Sequence, residues 1–151
     1  MPRAASGLEG HLGYWLRFVS NHVSHAFKLK VESHGVTVAE WVVMRALYDS
    51  EAVNPSEVAR KIGLTRGAVS KLMDRLVGKG LVFCRAEKAD RRYQTVTLSG
   101  SGRTLVPVLA ELADRTDEEY FGHLSKRERA DLIVVLRNIV QTRGFENIPV
   151  E

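Results

Sequence analysis

The stretch Arg66 to Gly80 sorts its residues onto two sides of a helical repeat. Val69, Leu72, Met73 and Leu76 recur at i, i+3, i+4 and i+7, the spacing of a buried stripe. The opposite face carries Gly67, Ser70, Lys71, Asp74 and Gly78, with Ala68 and Arg75 flanking it. The chemistry this fits is polyanion recognition. Small residues near the N-terminal end let a helix enter the major groove of double-stranded DNA, where Arg66, Lys71 and Arg75 reach base edges or phosphates. The helix N-terminus itself favours phosphate. A merely solvated face is the alternative, because charge runs are often just that.

A second basic feature follows at once. Leu81–Arg85 is short, apolar and β-prone, and Tyr93–Leu98 alternates and is rich in β-branched residues. Together they predict a two-stranded hairpin with a charged tip, Ala86 to Arg91. Lys88, Arg91 and Arg92 on a protruding loop repel one another, and a minor groove would relieve that repulsion. Residues 54–92 hold ten Lys/Arg against four Asp/Glu, or +6, whereas the remainder of the chain is −2. A basic middle between mildly acidic ends is the layout of a polyanion-binding module on a neutral scaffold.

These two features need elements to hold them. Thr37-Val-Ala-Glu40 and Ser125-Lys-Arg-Glu128 have the form of capping boxes, and Asn54-Pro55-Ser56-Glu57 adds proline at the first helical position. Helices are expected over Leu8–Glu32, Val38–Asp49, Pro55–Ile62, from after Thr65 to Gly80, over Arg103–Gly122 with a bend at Pro107, and over Lys126–Arg143. Gly63 should end the third helix, and Ser99–Gly102 is read as a flexible break. Two short helices joined by a tight turn and followed by a hairpin make a winged helix-turn-helix. The fold class is therefore mainly α, with a two-stranded β-hairpin wing flanked by N- and C-terminal helices.

The 151 residues, 44% hydrophobic and 26% charged, suit one folded unit. No apolar run is long enough for a membrane span, and the start lacks a signal-peptide core, so a cytoplasmic location is expected. The sequence contains no Gly-x-Ser-x-Gly, phosphate loop or His-Glu-x-x-His, which argues against an enzyme, and no cofactor is expected. A winged helix used for protein contacts would carry a neutral or acidic face where this one is basic. Leu132-Ile-Val-Val-Leu136 spans more than one face of a helix, so the flanking helices need a second surface, most simply that of a second copy.

The order of Asn-Pro-Ser-Glu-Val-Ala, Gly-Leu-Thr-Arg-Gly-Ala-Val-Ser, Leu-Met-Asp-Arg-Leu, Lys-Gly-Leu-Val, Asp-Arg-Arg and Val-Thr-Leu-Ser resembles the MarR family of bacterial transcription regulators. The likeness runs from Leu8 to Arg143 and is most specific from Pro55 to Ser99. It implies a homodimeric DNA-binding regulator, most often a repressor, with dimerisation helices in 1–36 and 101–151 around a DNA-binding domain in 37–100. It assigns DNA contacts to Thr65, Arg66, Ala68, Ser70, Lys71 and Arg75. Ser56 is assigned to a phosphate, Asp90 to ordering the wing, and Arg91 and Arg92 to the minor groove. It also implies a small aromatic or anionic effector in a pocket for which Tyr14, Trp15, Trp41 and Arg45 are candidates; tryptophans at this spacing equally fit a core. Cys84 as a redox switch is set against a small buried strand residue, which is the expectation here. His22 and His25 have a metal-binding spacing without a companion carboxylate or thiol pattern, and no metal site is assigned.

Overall fold

The computed structural model describes residues 1, 3–87 and 90–146, with the backbone alone for Glu87 and 90–93. A 3-10 turn, Leu8–Gly10, precedes α1 (Leu12–Glu32). Then come α2 (Val38–Tyr48), α3 (Pro55–Ile62), α4 (Arg66–Gly78), β1 (Val82–Glu87), β2 (Asp90–Leu98), α5 (Gly100–Phe121) and α6 (Lys126–Arg143).

The centre of the core is α2, which buries Trp41, Val43, Met44 and Leu47. Around it close Val58 and Ala59 of α3, the expected stripe Val69, Leu72, Met73 and Leu76 of α4, Val82 and Val96 of the hairpin, Val106 and Leu109 of α5, and Val31 of α1. Gly63 takes φ +71°, which lets the chain leave α3 and start α4 after three residues. The strands pair antiparallel, Val82 with Leu98 through Ala86 with Gln94, then shift register so that Glu87 faces Asp90. Val53 adds a bridge to Val96, each amide donating to the other's carbonyl at 3.0 and 2.8 Å, and so moors the wing base beside α3.

Several boundaries differ from the sequence expectation. The first helix is interrupted at His11, whose extended backbone separates the 3-10 turn from α1. Helix α4 ends at Gly78, and both strands extend further toward the tip than expected, so Arg91 and Arg92 belong to β2 rather than to a loop. Of the three proposed capping boxes only Ser125–Glu128 closes both halves, at 3.1 Å each. Thr37 accepts from the Glu40 amide, but the Glu40 carboxylate turns away to Lys79. Asn54 caps through the Ser56 amide at 2.8 Å.

The largest correction is at Ser99–Gly102, which is a helix start and not a flexible break. Ser99 Oγ accepts from the Gly102 amide at 3.1 Å and donates to the Gly80 carbonyl at 2.7 Å. The Ser99 amide donates to the Leu81 carbonyl at 2.9 Å. Gly102 is buried, and a Cβ there would overlap the Leu81 carbonyl oxygen, so this glycine permits a helix to sit on a backbone turn. Gly102→Ala should therefore destabilise by about 1–3 kcal/mol, as overpacking does. Gly100→Ala, which meets open space, should stay within about 0.5 kcal/mol. Urea unfolding of the two variants side by side checks this, and equal midpoints would contradict it.

Candidate nucleic-acid interface

The buried stripe of α4 turns its other side outward. Thr65, Arg66, Gly67, Ser70, Lys71, Asp74 and Arg75 are exposed and Ala68 is half-buried. Among the described residues, Arg66, Lys71 and Arg75 take part in no ion pair, so three cations stand on this face without an intramolecular partner. Thr65 is the N-cap, its Oγ1 accepting from the Ala68 amide at 3.2 Å, which leaves its hydroxyl proton free to donate. Ser56 is half-buried in the first turn of α3. The structure thus brings the helix residues onto one outward face, with Ser56 on the adjoining helix. Lys88 lies outside the described residues, as do the side chains of Asp90, Arg91 and Arg92, so the wing-ordering pair implied for Asp90 and Arg92 falls there too.

Two residues that sequence reasoning passed over hold this face in place. Ser99 ties the start of α5 to the turn that leaves α4. Lys79, the C-cap of α4, reaches back to Glu40 and the Gly35 carbonyl. A serine before a Gly-Ser-Gly run looks like a linker, and a Glu three residues after a Thr looks like a capping partner. In both cases the true partner is remote in sequence.

The MarR family matches residues 34–92, the stretch from the end of α1 to the wing. A staphylococcal relative, the HTH-type transcriptional regulator SarZ of Staphylococcus haemolyticus, is 27% identical over 135 residues, 89% of this chain and 90% of its own. The structure of Bordetella bronchiseptica BpsR, whose DNA binding is regulated by 6-hydroxynicotinic acid, superposes with TM-score 0.80 at 26% identity, over 90% of this chain and 97% of that one. Residues 34–92 of this chain are thus similar to the MarR family, and the chain as a whole shares the fold of these regulators. Its winged-helix fold is the one these transcriptional regulators have. The fold also matches Staphylococcus aureus MepR in complex with DNA, TM-score 0.80 at 21% identity, over 87% of this chain and 98% of MepR.

The four pocket candidates do not converge. Trp15 lines a cleft of about 740 Å³ between α1 and the α5–α6 corner, and its indole donates to the Glu9 carbonyl at 2.9 Å. Tyr14 is half-buried and meets Trp15 edge to face. Trp41 is a core residue, packed edge to face on Phe27. Arg45 is exposed, paired with Asp49 at 2.8 Å and set over the Tyr48 ring. The cleft walls are instead Leu12, Leu16, Phe18, Val19, Tyr120 and Leu132 among others, and His22 and His123 also line it. His22 stacks on Phe18 with ring centroids 5.1 Å apart. Among the described residues no three His, Cys, Asp or Glu are grouped to hold a metal.

Cys84 corrects another expectation. It is exposed, not buried, although its partner across the hairpin, Val96, is wholly buried. The register puts both on one face, but that face runs out past the edge of the core before it reaches Cys84. Partial desolvation, and secondarily the Asp74 carboxylate, push its thiol above the ordinary thiol value. The nucleophile is the thiolate, so this is the wrong direction for a peroxide sensor. Alkylation by iodoacetamide should show a pH midpoint above that of a free thiol. Asp74→Asn should move it down, because removing a negative charge favours the thiolate. A midpoint at or below the free-thiol value would contradict the assignment.

Proposed function

We propose that this regulator represses transcription by binding a pseudo-palindromic operator as a homodimer, and that a small aromatic or anionic effector relieves it. The observation that carries the DNA reading is the unpaired cationic face of α4, backed by a helix stripe that fixes its direction. In this reading residues 37–100 form the DNA-binding domain. Arg66, Ser70, Lys71 and Arg75, with Thr65 and Ala68, contact the major groove, Ser56 meets a phosphate, and Lys88, Arg91 and Arg92 enter the minor groove beside Asp90. Residues 1–36 and 101–151 form the dimer, and the protein acts in the cytoplasm.

The dimer rests on apolar surface left uncovered. No residue of α6 is buried, and Leu132 through Leu136, Ile139 and Val140 are each between 39% and 62% exposed. Leu8, Leu12, Trp15, Leu16, Phe18 and Val19 of the N-terminal segment are likewise exposed. A contiguous apolar surface of this extent marks an interaction site, and a two-fold copy supplies matching helices. The apolar cleft beside α1 would then lie at or near that interface, where an effector could bias the distance between two recognition helices by differential affinity.

Selection from a random double-stranded library should return an inverted repeat with half-sites about one helical turn apart. Arg66→Ala should weaken operator binding by about 1–3 kcal/mol if it reads a base, or lower the salt slope by about one if it meets a phosphate. The dimer should persist in that variant. Light scattering together with titrations at several salt concentrations checks both. Removing α6 should abolish the dimer, and a truncated monomer that still bound the full operator would contradict the two-fold arrangement.

A further inference from the structure

Glu40 is 1% exposed, the most deeply buried charged residue among those described. Both its carboxylate oxygens accept from Lys79 Nζ, at 3.1 and 2.7 Å. The same ammonium donates to the Gly35 carbonyl at 2.9 Å. An ammonium has three protons, and this one has three acceptor atoms from two elements around it. Its own backbone is the C-cap of α4. One group therefore joins the end of α4, the first turn of α2 and the α1–α2 corner, where Gly35 takes φ +81°. The corner is held from its other side as well. Lys30, in the last turn of α1, donates to Thr116 at 3.0 Å and to Glu119 at 2.9 Å, both on α5.

A buried ion pair seldom adds net stability over apolar residues of similar volume, because desolvation offsets the attraction. The core alone would hold α4 by its four-residue stripe, and a stripe of side chains still lets a helix rock about its long axis and tilt at its free end. The ion pair removes that freedom at the C-terminal end of α4 by fastening it to the scaffold that leads into α1 and α5. We propose that Glu40 and Lys79 are positioning residues that fix the angle of α4 on the α1–α2 corner and so set the separation of half-sites the regulator accepts. This rests on α4 being the recognition helix of a dimer.

The test is the full-length chain with Glu40→Leu and Lys79→Met combined. The double change removes one charge of each sign, so the net charge and its long-range attraction for DNA are unchanged. It also leaves no unpaired buried charge. Circular dichroism should show a folded protein and light scattering an unchanged mass. Binding to random-sequence DNA, and its salt dependence, should match wild type. Affinity for the selected operator should fall by about tenfold, within the range expected of residues that touch neither ligand. The preference for native spacing over operators lengthened or shortened by one base pair should shrink by a similar factor. Lys79→Arg, which keeps a donor there, should retain most of the spacing preference.

If the double variant fails to fold, Glu40→Gln keeps the shape and removes only the charge, and it should show the same loss of spacing preference in smaller measure. A folded variant whose spacing preference equals that of wild type overturns the positioning role. A wild-type protein that selects no spaced repeat overturns the recognition-helix reading itself, and the proposal with it. The two failures are told apart by whether wild type or only the variants lack the effect.

Discussion

The structure depends on which way α4 faces. Val69, Leu72, Met73 and Leu76 are all buried against a core centred on α2, and that burial leaves one orientation for the opposite face. Turning the helix by half a revolution would expose four large apolar side chains and bury Lys71 and Asp74 unpaired, at a cost of many kcal/mol. No part of the exposed face has to contribute to stability for its direction to be secure. That separation explains why Gly67, Ala68 and Ser70, poor choices for holding a helix together, can occupy it. The stripe holds the fold, so the outward positions are free to match a groove.

The rest of the winged helix is arranged to keep the ends of α4 from drifting. Its N-terminus is placed by the Gly63 turn and the Thr65 cap. Its C-terminus is held three ways, by Gly80 and Leu81 turning into β1, by Ser99 bonding to the Gly80 and Leu81 backbone, and by Lys79 reaching to Glu40 and Gly35. The wing base is moored by Val53 beside α3 and by the packing of Val96 and Leu98. Hence α4 and the base of the wing share one packed support.

Much of this was legible because it is periodic or local. The stripe of α4, the glycine after α3, the serine cap of α6 and the alternation of Thr95 to Leu98 all signal within one turn or one strand. What was not legible depends on groups far apart in sequence. Ser99-Gly-Ser-Gly reads as a linker until Leu81 is placed over Gly102, where a side chain would not fit. Glu40 reads as half of a capping box until Lys79, 39 residues later, arrives beside it. Cys84 reads as a buried strand residue because Val96 opposite it is buried, yet the core ends between them. Trp41 and Arg45, four apart on α2, suggest one wall of a pocket, but the first belongs to the core and the second to an ion pair with Asp49. For the outward face of α4, residue type and period sufficed to place the helix positions on one side, while the pocket candidates needed the packing.

The same contrast separates the two kinds of surface this chain leaves exposed. On α4 the exposed positions are polar or small, and the fold is complete without a partner there. On α6 no residue is buried and seven exposed ones are large and apolar, so beyond its cap, its i,i+4 contacts and the bonds of Arg129 to Phe121 and Glu118 this helix has little to hold it on the surface of a lone chain. An isolated helix of 18 residues is marginal in water. Its length and its Ser125–Glu128 capping box therefore make sense only if its apolar sides are covered, and the same holds for the N-terminal half of α1. Coverage by a second copy would order both helices at once. The distance between the two α4 faces would then be fixed by contacts remote from DNA, carried through α1, the Gly35 corner and the ammonium of Lys79.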